Sequence, residues 1–299
     1  EAIKDKMLES ALAIRKAYLS AELAKVQHHI HQQHQKKEEE LLRIARARYT
    51  HGKGLKSDVL NVQAEVAQAK QHLNQHHNHL NSVLFELKAK MGIDLGSEIE
   101  LTDTLKVTEW SGGDLNVIVR NALEAHPRII QARKNTSQAK AQWKATLGQY
   151  LPQVTGQVSG NVRIPENEPE LGSGVVGMFT VSLPVFDRER DHKVTAAKRQ
   201  YVKMTQVEKS VEVELTKEIA QAWSEMTFAR DNVTQAQAAV ESSREELRLM
   251  QKRFEVGRAL NVEVQDAVLT FLQAQLAHVQ AVYEHEVARA KVIRSSWLY

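Results

Sequence analysis

Residues that break helices are confined to a few places in this chain, and that distribution limits its fold more than any other feature. All five prolines, Pro127, Pro152, Pro165, Pro169 and Pro184, fall in one stretch, and glycine is absent from residues 1–51, 55–91, 178–256 and 258–299. In a helix interior proline costs about 3 kcal/mol and glycine about 1 kcal/mol. The four glycine-free windows, rich in Ala, Gln, Glu, Lys, Arg and Leu, therefore predict long uninterrupted helices. At about 1.5 Å per residue, a window of about fifty residues would reach about 75 Å, well beyond an ordinary globular helix.

Helices of that length need a lateral partner, and the apolar spacing provides one. Val59, Val62, Val66, Ala69, Leu73, His76, Leu80, Val83 and Leu87 alternate steps of three and four, which is a heptad seam. Leu260, Val264, Ala267, Phe271, Ala274, His278 and Ala281 do the same. The connections "HGKG" at 51–54 and "VGRA" at 256–259 each put a glycine where one helix must stop and reverse. Two antiparallel helical hairpins follow.

The hairpins also match one another. With the offset of 205 that carries Gly52 onto Gly257, Ile14, Ala17 and Tyr18 fall on Ile219, Ala222 and Trp223. Arg48, Tyr49, Leu55, Asp58 and Val59 fall likewise on Arg253, Phe254, Leu260, Glu263 and Val264. A period of this length indicates a duplicated half-molecule, not a solenoid. The second copy has a preface: a helix expected over 114–150, then a stretch of period two. Val154, Gly156, Val158, Gly160, Val162 and Ile164 alternate with polar residues, and after a turn with two prolines Val175, Gly177, Phe179, Val181 and Leu183 form a return strand. Each run is about ten residues, the length that crosses a bilayer at a tilt. If the halves were once equivalent, a matching preface of about ninety residues should precede Glu1, so the chain is expected to be part of a longer one.

These observations divide the chain into a helical hairpin (1–92), a linker (93–113), a helix (114–150), a β-hairpin (151–186) and a second helical hairpin (187–299). The fold class is mainly α with a small β part: long antiparallel coiled-coil hairpins plus one transmembrane-type β-hairpin. The 40 basic and 37 acidic residues are spread along the chain, so no footprint for nucleic acid stands out. No apolar run reaches the roughly 18 residues of a membrane-spanning helix, which leaves a β-barrel open. The absence of cysteine excludes disulfides and thiolate metal sites. No Gly-rich phosphate loop, nucleophile elbow or HExxH motif is present, so no catalytic residue is assigned and an enzyme is not expected.

"ARYTHGKGLKSDVL", "ALEAHPRIIQAR", "YLPQV", "VSLPVFD" and "KRFEVGRALNVEVQ", in this order and spacing, resemble the outer membrane factors, the TolC-like exit ducts of bacterial efflux and type I secretion. The resemblance spans nearly the whole chain. It implies a homotrimer whose strands close one twelve-stranded barrel in outer membrane lipid and whose helices form a periplasmic α-barrel. Closure leaves no unpaired strand edge in lipid. A chain with one β-hairpin in place of two departs from the pattern and is read as a fragment. The resemblance further implies a passive conduit that works with a periplasmic adaptor and an inner-membrane pump, for cargo such as drugs or heavy metals. It places a channel entrance at Asp58, Glu263 and Asp266, where symmetry copies would favour cations. It places adaptor docking at Arg48, Gly52, Leu55, Arg253, Gly257 and Leu260. The simpler readings are that the acids sit in the first turn of a helix, where its dipole favours them, and that the glycines serve turn geometry. The alternative for the whole chain is a periplasmic coiled-coil scaffold that never enters a membrane.

Histidine is also clustered: eight of the 13 lie in "QHHIHQQHQ" (27–35) and "QHLNQHHNHL" (71–80). Reflected through the turn at Lys53, His31 falls opposite Gln75, so the two clusters should meet about 33 Å from the tip. His72 and His76 are i, i+4; His76 and His79, and His28 and His31, are i, i+3; each spacing shares a helix face. Three or four such nitrogens would suit zinc or copper at His28, His31, His72, His76 and His79. The competing expectation is a polar belt on a tunnel wall or intersubunit groove, with His76 fixing the register.

Overall fold

A computed structural model describes residues 2–163, 172–183 and 188–297. The elements are helices α1 (Ala2–Thr50), α2 (Lys56–Met91), α3 (Leu115–Ala125) and α4 (Pro127–Gly148), strands β1 (Gln153–Arg163) and β2 (Gly172–Ser182), and helices α5 (Arg188–Glu255) and α6 (Asn261–Ser296). They fall into two compact units, residues 1–126 with 215–299, and residues 127–214.

In the first unit α1 and α2 form an antiparallel hairpin and α1 also packs on α6. Of the α2 seam, Val62, Val66, Ala69, Val83 and Leu87 are buried and Val59, Leu73, His76 and Leu80 half-buried. Near the turns one core joins four helices: Leu41 and Ala45 of α1, Val62 of α2, Val240, Leu247 and Phe254 of α5, and Val264, Ala267, Val268 and Phe271 of α6. Farther from the turns, Ala17, Ala21 and Ala24 pack against Val83, Leu87 and Leu101. Alanine there lets the two backbones come close.

Residues 93–113, expected as a linker, form no helix or strand but are anchored along the helices. Leu101 is buried and its carbonyl accepts from Lys25 Nζ at 2.7 Å. Tyr18 Oη donates to Asp103 at 3.1 Å. The Thr108 amide donates to Glu286 Oε1 at 2.7 Å, and Trp110 meets Trp223 edge-on at 5.8 Å.

The single helix expected over 114–150 is two helices. Asp114 caps α3 by accepting from the Val117 amide at 3.1 Å. His126 then turns extended, with φ −67° and ψ 130°, and Pro127 opens α4. Proline lacks the amide that would continue the ladder and pushes the preceding residue out of the α region, yet it fits the first position of a new helix. His126 lies edge-on to Trp297 at 5.9 Å.

In the second unit α4 runs beside the first part of α5. Trp143 stacks on Tyr201 with 5.7 Å between centroids, and Arg133 reaches Glu212 at 3.5 Å and Glu208 at 3.9 Å. β1 and β2 pair antiparallel from Gln153↔Ser182 to Arg163↔Gly172. The expected turn with Pro165 and Pro169, Ile164 at its start, and the "PVFD" that ends "VSLPVFD" lie outside the described residues.

That register settles which side chains share a face. Directly opposed residues point the same way, so Val154 with Val181, Gly156 with Phe179, Val158 with Gly177 and Gly160 with Val175 form one apolar face. Gln153 with Ser182, Thr155 with Thr180, Gln157 with Met178 and Ser159 with Val176 form the other, mostly polar face. Large residues sit opposite glycine: a Cβ on Gly156 would come within 3.2 Å of the Phe179 ring. Val158 is 79% exposed and Phe179 85%. A two-stranded ribbon that leaves such a face uncovered is marginal by itself in water.

Candidate functional site

Two regions of the first unit hold the residues singled out by sequence: the paired helical turns and the histidine belt.

The turns are built alike. Gly52 and Gly257 take left-handed φ values of +71° and +75°, where an L side chain is strained. The Gly52 amide donates to the Tyr49 carbonyl at 3.0 Å and the Lys53 amide to the Arg48 carbonyl at 2.8 Å. At the corresponding positions, the Gly257 amide donates to Phe254 at 3.0 Å and the Arg258 amide to Arg253 at 2.7 Å. Each helix thus ends in a Schellman motif that uses its last carbonyls. The following helices also begin alike: Asp58 accepts from the Leu55 amide at 3.4 Å and Glu263 from the Leu260 amide at 2.7 Å. Asp58 and Glu263 are therefore helix-capping groups. Asp266, three residues beyond Glu263 on the same helix face, is exposed.

The symmetry ends at the arginines. Arg48 Nη1 donates to the Phe254 carbonyl at 2.9 Å, Nη2 donates to the Lys53 carbonyl at 3.3 Å, and the guanidinium lies 4.4 Å over the Phe254 ring. Arg253 is exposed. The aromatic residues differ in step, since Phe254 is 2% exposed and its counterpart Tyr49 46%. Arg48 is therefore a strut between the turns. The turns border a cleft of about 730 Å³ lined by Arg48, Leu55, Asp58, Phe254, Leu260 and Asn261 among others. Leu55, Val256, Leu260 and Val262 stand exposed around it. Val256 and Val262 were not singled out from sequence, although two valines flanking a turn glycine were a readable signal. The α1–α6 contact beside the cleft is held by Gln265 Nε2 donating to the buried Glu38 at 3.1 Å.

The histidine clusters meet as the reflection through the turn requires. His31 stacks on His76 with 3.9 Å between centroids and 15° between planes, lies 6.2 Å from His72, and His28 lies 5.5 Å from His77. His79 acts on His76 through its charge and makes no ring contact with the others among the contacts described. His31 is 5% exposed, and neither of its ring nitrogens has a hydrogen-bond partner in the protein. Neither do both nitrogens of His34 and Nδ1 of His76. Burial, and then the charges of His76, His34, His72 and His28, push the His31 imidazole down to about 4. Burial also lowers His76 and His28, with neighbouring histidines adding to it. Among the described residues no three His, Asp or Glu groups already converge on one point at metal-binding distance.

The comparisons with known proteins agree with this geometry. The family profile described as "Outer membrane efflux protein" matches residues 1–92 and 118–295, skipping the irregular segment 93–113. Among solved structures, the chain resembles the outer-membrane channel OprN (TM-score 0.78, 16% identity, 99% of this chain and 67% of that one). It resembles the outer membrane protein VceC of Vibrio cholerae (TM-score 0.75, 16% identity, 97% and 70%). The MtrE outer membrane channel of Neisseria gonorrhoeae, in its open state, is similar as well (TM-score 0.76, 16% identity, 97% and 66%). No curated protein matches the chain. At these identities the solved structures speak to the fold, which is the mainly helical outer membrane channel fold with a small antiparallel ribbon. The family profile covers most of the chain, and with its paired hairpins, capped turns and two-faced ribbon the chain belongs to the outer membrane efflux protein family.

Proposed function

We propose that this chain is a subunit of a homotrimeric outer membrane exit duct for tripartite efflux or type I secretion. Its β-ribbon joins those of other protomers in a closed barrel, and its helical hairpins line the periplasmic tunnel. The ribbon register carries this reading, because it gathers Val154, Val158, Val175, Phe179 and Val181 on one exposed face and Gln153, Thr155, Gln157 and Ser159 on the other. Lipid outside and water inside is the environment such alternation fits. The duct carries no chemistry of its own; an inner-membrane pump supplies the energy through a periplasmic adaptor. The exposed Leu55, Val256, Leu260 and Val262 around the cleft are the adaptor's contact, with Gly52, Gly257 and Arg48 fixing the turn geometry and Arg253 offering charge. Full-length protein in planar bilayers should give discrete conductance steps. Protein that stays soluble without detergent and conducts nothing contradicts the proposal and favours a periplasmic scaffold.

The cation-favouring entrance assigned to Asp58, Glu263 and Asp266 is tested by charge removal that spares the cap. Glutamine at the third helical position still accepts from the cap amide. Glu263→Gln with Asp266→Asn is therefore expected to lower cation selectivity while the trimer survives; unchanged selectivity removes the assignment.

A further inference from the structure

Among the described residues, the histidine belt is a cluster that the duct reading leaves unused. It leaves five imidazole nitrogens of His31, His34 and His76 without a hydrogen bond in the protein and out of solvent in the same part of the α1/α2 hairpin. Each buried polar group left without a hydrogen bond is destabilising, and leucine in their place would pack without that cost. Such a concentration of unmet donors and acceptors calls for a ligand that all of them recognise. The charges acting on His31 all come from other histidines. Nearby, Glu38 Oε1 lies 3.4 Å from His34 Nε2, a carboxylate placed to orient that ring.

We propose that His31 and His34 of α1 with His72 and His76 of α2 form a binding site for a borderline divalent transition-metal ion, Zn²⁺ or Cu²⁺. The i, i+3 pair His31/His34 and the i, i+4 pair His72/His76 each present two rings on one helix face. The antiparallel pairing brings the faces together, as the 3.9 Å stack of His31 on His76 and the 6.2 Å separation of His31 from His72 record. Stacked rings do not aim their nitrogens at one point, so binding opens the His31–His76 stack by a side-chain rotation in one of them. Four imidazoles match the preference of these ions for nitrogen donors and, for zinc, tetrahedral coordination. Of the residues named from sequence, His28 and His79 fall outside the proposed set, since His28 faces His77.

The inference goes beyond the duct reading and does not depend on it, because metal uptake by detergent-solubilised protein is read without any conductance. Zn²⁺ titrated calorimetrically into full-length, metal-stripped protein should bind one ion per chain, and Co²⁺ should give the visible absorption bands of a tetrahedral nitrogen site. His72→Ala, at an exposed position that leaves the core intact, should weaken Zn²⁺ binding at least tenfold, as should His76→Leu, which fills the seam. His51→Ala, at the distant turn, should change nothing. If wild type binds Zn²⁺ no better than His72→Ala, or no better than His76→Leu, the proposal is overturned.

Discussion

At the scale of single residues, the partners of a covered charge distinguish positions that look alike in sequence. Arg48 and Arg253 occupy matching places, but only Arg48 donates across to the other turn and covers Phe254. Arg48→Ala should therefore cost roughly 1–3 kcal/mol through lost hydrogen bonds and a bare ring face. Arg253→Ala, at an exposed site, should stay within about 0.5 kcal/mol. Thermal unfolding followed by the helical circular dichroism signal checks both. Their difference was not readable from sequence, because the partner of Arg48 lies more than two hundred positions away and only the packing chooses which turn is covered. Glu286 was hidden in the same way, as one acid among many on a long helix. It is 3% exposed, accepts from the Thr108 amide at 2.7 Å and Arg289 Nε at 3.1 Å, and has His285 Nδ1 3.3 Å away. Burial alone would raise its carboxyl, but His285, the Thr108 amide and Arg289 outweigh that and hold it below the usual carboxylate range. A carboxyl held low adds stability above its ordinary value, and that contribution is lost as pH falls through the lowered one. Glu286→Gln should lose roughly 1–3 kcal/mol at pH 7, and its melting deficit should shrink below about pH 4. A deficit independent of pH contradicts this assignment.

At the scale of elements, most of the architecture followed from where glycine and proline are missing. The four long helices lie within the windows free of glycine, and the α2 seam is buried or half-buried along its length. The two strands follow the period-two runs to within a residue or a few. The break at His126–Pro127 was misread because "ALEAHPRIIQAR" keeps its apolar rhythm through a proline that starts a helix as readily as it ends one. The course of residues 93–113 was also out of reach, since it is set by single bonds from Lys25, Tyr18 and Glu286 with no local periodicity. The turns, in contrast, were legible: only glycine adopts the left-handed conformation there without strain. Gly52→Ala and Gly257→Ala should each destabilise the hairpins by about 1–2 kcal/mol. Melting points unchanged in both variants would show that the turns relax to another conformation.

At the scale of the whole molecule, one claim supports the rest: the ribbon is a membrane element with a lipid side and a water side. The period-two alternation announced two faces, but only the register establishes that Val154 and Val158 of one strand share a face with Val175, Phe179 and Val181 of the other. Neighbouring residues at mid-strand therefore make a depth-matched test. Val158 lies on the apolar face and Gln157 on the polar one. An arginine facing lipid near the bilayer midplane costs about 2–4 kcal/mol, whereas a lumen-facing one changes selectivity more than insertion. The decisive measurement is the fraction of full-length Val158→Arg and Gln157→Arg recovered as assembled trimer in the bacterial outer membrane. A membrane-spanning ribbon predicts severe loss for Val158→Arg and near wild-type recovery for Gln157→Arg; equal recovery of the two, or the reverse order, would contradict it.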